Sequence, residues 1–206
     1  MNKTSIACLL ALTPVLASAN IIPTGTSISG AGPYVWSYQL QLAADGDVSV
    51  GASPAANPVD HTNLNDAGFF TLYDFAGYVD GSCSGPANWA CTAQLIGFTP
   101  DDVMPIDSAS IVNLTWAHTT GATISGQPNG IDLGQFTAMS IYNEERLVSY
   151  TSRTIKNDGP AAGTIADNVG STRGPSAPSV SEPASMGLVG LGLAALVAAR
   201  RRKSRV

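Results

Sequence analysis

Positive charge is scarce where a nucleic-acid binder would need it. Between residues 20 and 199 the chain carries only Arg146, Arg153, Lys156 and Arg173 against all fifteen Asp and Glu side chains, a balance of 4 − 15 = −11. So acidic a body repels a phosphate backbone, and nucleic acid is excluded as its partner. Histidine is nearly absent. His61 and His118 stand far apart with no HxH, HExxH or CxxC spacing, so a zinc or general-base site arises only if the fold joins them. Cysteine is limited to Cys8, Cys83 and Cys91. Long helical patterns and internal repeats are missing, which leaves strands to build whatever core the 206 residues enclose.

What is present alternates with period two. In Tyr34–Leu42, YVWSYQLQL, the side chains Tyr34, Trp36, Tyr38, Leu40 and Leu42 fall on one face and Val35, Ser37, Gln39 and Gln41 on the other, the mark of a half-buried strand. DGDVSVG supplies a turn and a short second strand. Phe69–Val79 predicts a long third, Trp89–Phe98 a fourth and Ala109–Thr119 a fifth, with two more at Gln135–Tyr142 and Arg146–Ile155. Their spacing and their Gly, Pro, Asn and Asp separators predict an antiparallel β-sandwich or jelly-roll over residues 20–169. Residues 170–183, GSTRGPSAPSVSEP, are rich in Pro, Ser and Gly and read as an unfolded linker.

Several groups invite a chemical reading. Cys83 and Cys91 form an even pair eight residues apart once Cys8 is set aside, and in an oxidising compartment such a pair reads as a disulfide stabilising the fold by about 2.5 kcal/mol. Gly81-Ser82-Cys83-Ser84-Gly85 mimics a nucleophile elbow, but a Gly/Pro-rich loop follows where an elbow needs a helix. Asp45-Gly46-Asp47 offers hard oxygens to calcium, yet the remaining ligands of an EF-hand are missing and an Asp-Gly hairpin turn is the simpler reading. Asp101, Asp102, Asp107, Asp132, Glu144 and Glu145 would serve a glycosidase if two of them met in space. Trp36, Trp89 and Trp116, with Tyr34, Tyr38, Tyr73 and Tyr78, would suit a sugar-stacking platform if exposed, but their strand positions favour the core for Trp36 and Trp116. No catalytic residue and no cofactor is expected.

The two ends carry the strongest signals. Lys3, the apolar stretch Ile6–Leu16 and the small residues Ala17-Ser18-Ala19 form a signal peptide over residues 1–19, with cleavage expected between Ala19 and Asn20 by signal peptidase after the Sec translocon. Cys8 sits at the start of the apolar stretch, where a lipoprotein cysteine does not belong. At the other end, residues 184–199 are sixteen uncharged residues, about 24 Å as a helix against roughly 30 Å of hydrocarbon. The tail of residues 200–206 follows, with Arg200, Arg201, Arg202, Lys203 and Arg205, which the positive-inside rule holds in the cytoplasm.

This layout of Val180-Ser181-Glu182-Pro183, a Gly-rich apolar segment and a terminal basic cluster resembles the PEP-CTERM sorting signal of Gram-negative bacteria. Ser181 stands where that family usually has its first proline. The resemblance implies recognition by exosortase, a membrane-embedded cysteine transpeptidase or protease, and a cut near the motif. It further implies a transient stay in the inner membrane and release to the cell surface or an exopolysaccharide matrix. An uncleaved tail anchor is the alternative. Nothing in the resemblance assigns a role to the body.

Overall fold

The structure, a computed structural model, describes residues 20–50, 68–100 and 102–178. Every regular element among them is a strand: β1 (Ile21–Ser29), β2 (Tyr34–Leu42), β3 (Gly46–Val48), β4 (Phe69–Leu72), β5 (Trp89–Gln94), β6 (Asn113–His118), β7 (Ile124–Ser125), β8 (Ile131–Ser140), β9 (Glu144–Lys156) and β10 (Ile165–Ser176). Among the described residues no helix is long and apolar enough to cross a membrane.

The strands form two antiparallel sheets, as the alternation predicts. The smaller has the order β1-β2-β8. The larger is organised around β9, which pairs with β10 along one edge. Along its other edge β9 meets β4 through Tyr150–Arg153 and then β3 through Ile155 and Lys156. Beyond β4 come β6 and β5, and β7 pairs with β3.

The alternating side chains of both sheets meet between them. Trp36, Tyr38, Leu40 and Leu42 of β2 and Phe136 and Ala138 of β8 share one buried cluster with Phe70, Leu72, Leu114, Trp116, Val148 and Tyr150 of the larger sheet. Tyr38 and Phe136 each reach Trp116 across the gap, with ring centroids 6.4 and 6.0 Å apart. Each such aromatic removes on the order of 150–250 Å² from water, so this layer supplies most of the apolar burial.

Three expectations are corrected, and one strand was not expected. The residues from Gly170 are not a spacer: β10 continues to Ser176 and pairs residue for residue with β9, so the folded body ends later than composition suggested. Two glycines make that pairing possible, because a Cβ on Gly170 would lie 2.6 Å from the Tyr150 ring and one on Gly174 2.7 Å from Val148. The long strand expected over Phe69–Val79 stops at Leu72, since Asp74 (φ 55°) and Gly77 (φ 67°) turn the chain away. The Asp45-Gly46 turn is no hairpin, because β3 pairs with β7 and β9 of the other sheet rather than with β2. β1 was unforeseen. Pro23 and a register shift between Pro23 and Gly25 break its alternation, which an edge strand tolerates.

Candidate functional site

The cysteine loop closes one flank of the sandwich. Cys83 and Cys91 are bonded, with Cα atoms 5.9 Å apart. Cys91 belongs to β5, the edge of the larger sheet, while Ser84 bridges to Thr137 on β8, the edge of the smaller one. Ser84 also accepts the Trp116 indole N–H at 3.0 Å, and Ser82 Oγ accepts the Met139 amide at 2.9 Å. Trp89, inside the loop, packs edge-on against Phe136 at 5.0 Å. The loop is therefore a clasp between sheets, and the disulfide leaves no thiol for an elbow-type nucleophile.

The aromatic side chains do not form a sugar platform. Trp36, Trp116, Tyr38 and Tyr73 are fully buried, Tyr34, Tyr78 and Trp89 are partly buried, and no aromatic is among the exposed large hydrophobics. His118 is buried at the end of β6, its Nδ1 3.4 Å from the Ser49 carbonyl and its ring 5.5 Å from Trp89. His61 and Asp101 lie outside the described residues.

The remaining carboxylates separate into structural partnerships. Asp107 accepts from Asn113 Nδ2 at 3.0 Å, and that Asn113 also binds the Asp74 amide through Oδ1 and the Leu95 carbonyl through Nδ2. Asp74, held in the left-handed region, accepts the Ser108 amide at 2.8 Å and pairs with Arg146 at 3.6 Å. Burial lifts the Asp107 carboxyl above the usual range, the Asn113 bond opposes this, and the Asp74 charge adds to the rise. Asp132 accepts from Gln39, Glu145 pairs with Arg173, and Glu144 is exposed.

Sequence reasoning missed the best-built ionic group. Arg153, 1% exposed, holds Asp167 bidentately, Nε to Oδ1 at 2.6 Å and Nη2 to Oδ2 at 2.8 Å. Burial raises the Asp167 carboxyl, Arg153 opposes the rise, and Asp102 adds to it through its charge and a carboxyl–carboxyl hydrogen bond. No pattern in the sequence pairs Arg153 with Asp167. Only the register of β9 and β10 sets them opposite each other.

Among the described residues, two hollows open to solvent stand out. One, about 340 Å³, is lined by Ala44, Asp45, Gln127, Pro128 and Asp158. The two calcium candidates divide there: Asp45 lines the hollow, while Asp47 Oδ1 accepts from Asn157 Nδ2 at 2.6 Å. Among the described residues no three His, Cys, Asp or Glu side chains gather as metal ligands. The second hollow, about 210 Å³, lies on the outer face of the smaller sheet and is lined by Gly25, Thr26, Ser27, Ser37, Gln39 and Gln135. Its Ser37 and Gln39 are on the polar side of the alternation in β2, a signal from which no site was read.

Residues 179–203 match the family described as the PEP-CTERM protein-sorting motif. The chain carries that sorting signal. It is therefore an exported protein, targeted to exosortase and anchored transiently in the membrane. The matched segment takes in Val180, Ser181, Glu182, Pro183, Arg200, Arg201, Arg202 and Lys203. It lies outside the described residues, as do Arg205, the signal segment 1–19 with its Ala19 boundary, and the apolar run 184–199. No curated protein and no solved structure matches the chain.

Proposed function

We propose that the chain is a non-enzymatic protein of a Gram-negative envelope, cut by exosortase and delivered to the cell surface or its polysaccharide matrix. The observation carrying this reading is the sorting match at residues 179–203, directly after a body whose last strand ends at Ser176. The body supports a passive role, because its buried ionic groups are engaged with one another and its one disulfide acts as a clasp. Signal peptidase and the Sec translocon handle the other end in this reading.

The test is fractionation of an exosortase-bearing host that produces the chain with Arg200–Val206 deleted. Loss of processing together with a normal thermal transition of the body supports the proposal. Unchanged processing and location count against it.

A second reading has its own observation. The polar hollow over Ser27, Ser37, Gln39 and Gln135 presents hydroxyl and amide groups that can hydrogen-bond a polyhydroxylated chain without stacking. Affinity electrophoresis in gels of the host's exopolysaccharide discriminates the two. Retardation lost on Gln39→Ala/Gln135→Ala favours a carbohydrate-binding module, and equal mobility favours a body that only rides with the matrix.

A further inference from the structure

The described residues expose ten large hydrophobic side chains, and the six most exposed are not scattered. Leu95, Ile96, Met104, Ile106, Ile141 and Leu147 are 51 to 91% exposed, while Ile22, Ile131, Met139 and Val169 range only from 37 to 42%. The pairing register locates the first set. The chain leaves the body at Ser176, opposite Glu144. Ile141 lies in the turn just before Glu144, and Leu147 is opposite Arg173, three residues from the exit. The Ile106 amide donates to Ser149 Oγ at 2.9 Å, placing Ile106 beside the next outward residue of β9 after Leu147, with Met104 two residues earlier on the same loop. The Leu95 carbonyl is held by Asn113, which binds Asp74, whose own carbonyl accepts from Arg146 opposite Gly174. Leu95 and its neighbour Ile96 therefore sit at the same end.

Chain length limits which surface can meet the membrane. From Ser176 to Ala184, the first residue of the apolar run, eight residues span at most about 28 Å even fully extended. The body's far end is farther off, because the thirteen residues of β9 alone measure about 40 Å from Glu144 to Lys156. A body standing on its far end would hold Ser176 beyond that tether, so the end near Ser176 is the one that can face the bilayer end-on. Its cations are paired, Arg173 with Glu145 and Arg146 with Asp74, while Asp107 is bonded to the neutral Asn113 and Glu144 is exposed, so attraction to anionic lipid is not what this end offers. What it offers is apolar area.

We propose that this apolar rim rests on the headgroup surface of the membrane while the sorting segment still anchors the chain, holding the body in one orientation as the cut is made. The proposal rests on the anchoring role of that segment. Release after the cut lets the rim leave the surface, because six exposed side chains bind lipid weakly without the anchor.

The test uses the chain from Asn20 onward, as the expected signal cleavage leaves it, with its tail intact, reconstituted in phosphatidylcholine vesicles, alone or with about one third phosphatidylglycerol. A fluorophore is placed in turn through Leu147→Cys, Ile106→Cys and Ile131→Cys, and lipids spin-labelled at the headgroup act as quencher. Quenching at least threefold stronger at Leu147 and Ile106 than at Ile131, equal in both lipid mixtures, is expected. Equal quenching at all three sites in a chain that floats with the vesicles overturns the proposal while leaving the anchor intact. A chain that does not float removes the anchor reading and the proposal with it. Shielding that depends on protein concentration rather than lipid assigns the rim to a second copy, and quenching confined to the anionic mixture assigns it to charge; either result overturns the apolar contact.

Discussion

The larger sheet is covered on both faces, and the two covers are built from different chemistry. Its inner face is a dry layer in which Phe70 lies between Trp116 and Tyr150, with centroids at 6.1 and 5.4 Å. Its outer face is polar although buried. Thr71, Thr115 and Thr151 are at most 2% exposed, and Thr71 and Thr115 share a 2.9 Å hydrogen bond. The segment between β5 and β6 covers them: the Tyr73 hydroxyl lies 2.9 Å from the Phe98 carbonyl and 2.6 Å from Thr99 Oγ1. Burial carries that hydroxyl up to about 12, the threonine hydrogen bonds working against the rise. Non-directional apolar burial holds the inner face, while the outer face depends on every donor finding its acceptor.

That contrast fixes the order of mutational effects. Phe70→Ala opens a cavity in the inner layer and should cost about 3–5 kcal/mol, lowering the melting temperature by roughly ten degrees. A loss near 1 kcal/mol in thermal or urea unfolding would mean that the layer is loosely packed. On the outer face, Arg153→Met leaves Asp167 buried without its cation and should cost about 3 kcal/mol, whereas Arg153→Met with Asp167→Leu should recover most of that. If the double variant is no better than the single one, the pair contributes more than mutual neutralisation. Thr71→Val should cost about 1 kcal/mol by leaving the Thr115 hydroxyl only the long bond from the Phe98 amide, and Thr71→Val with Thr115→Val should cost more because that buried amide then loses its acceptor as well, which denaturant titration of the cycle reads directly.

The smallest effect is that of pH. Asp107 and Asp167 titrate above the usual carboxylate range, so the native state keeps their protons to higher pH than the unfolded chain does. Their ionised forms therefore cost stability above the folded pKa, and the cost is relieved as pH falls toward the unfolded value of about 3.9. As pH falls through the raised folded pKa values toward the unfolded one, their contribution should raise the melting temperature, and substituting both by Asn should flatten that rise. A wild-type melting temperature that drops in step with the double variant over the same range would contradict the assignment.

The same contrast explains what could be read from the sequence. The inner face was legible because apolar alternation is local: YVWSYQLQL announces both a strand and its buried side. The clasp was legible because two cysteines in an exported chain have few alternatives. The outer face was not, since Thr71, Thr115 and Thr151 look like solvent residues until a loop covers them, and Arg153 meets Asp167, fourteen residues away in sequence, only through the pairing of β9 with β10. β10 was hidden by its composition. Gly170 and Gly174, read as marks of a flexible linker, are there because Tyr150 and Val148 lie against the strand. The sorting signal needed no fold at all, being a linear pattern read by a membrane enzyme, and it is the part of the chain that the family match supports.

The central claim is that a body closed at Ser176 is followed by a segment made to be cut. Intact-mass measurement of the chain recovered from an exosortase-bearing host, beside the same chain with Glu182→Ala and Pro183→Ala, tests it most directly. Pro183 has no backbone N–H and disfavours helix at the residue before it, two constraints that the double alanine removes. The account predicts a native product that ends between Ser176 and the apolar run, having lost Arg200 to Arg205, and a variant that keeps its terminus through Val206. A native chain recovered whole, or a variant trimmed at the same bond, would contradict it.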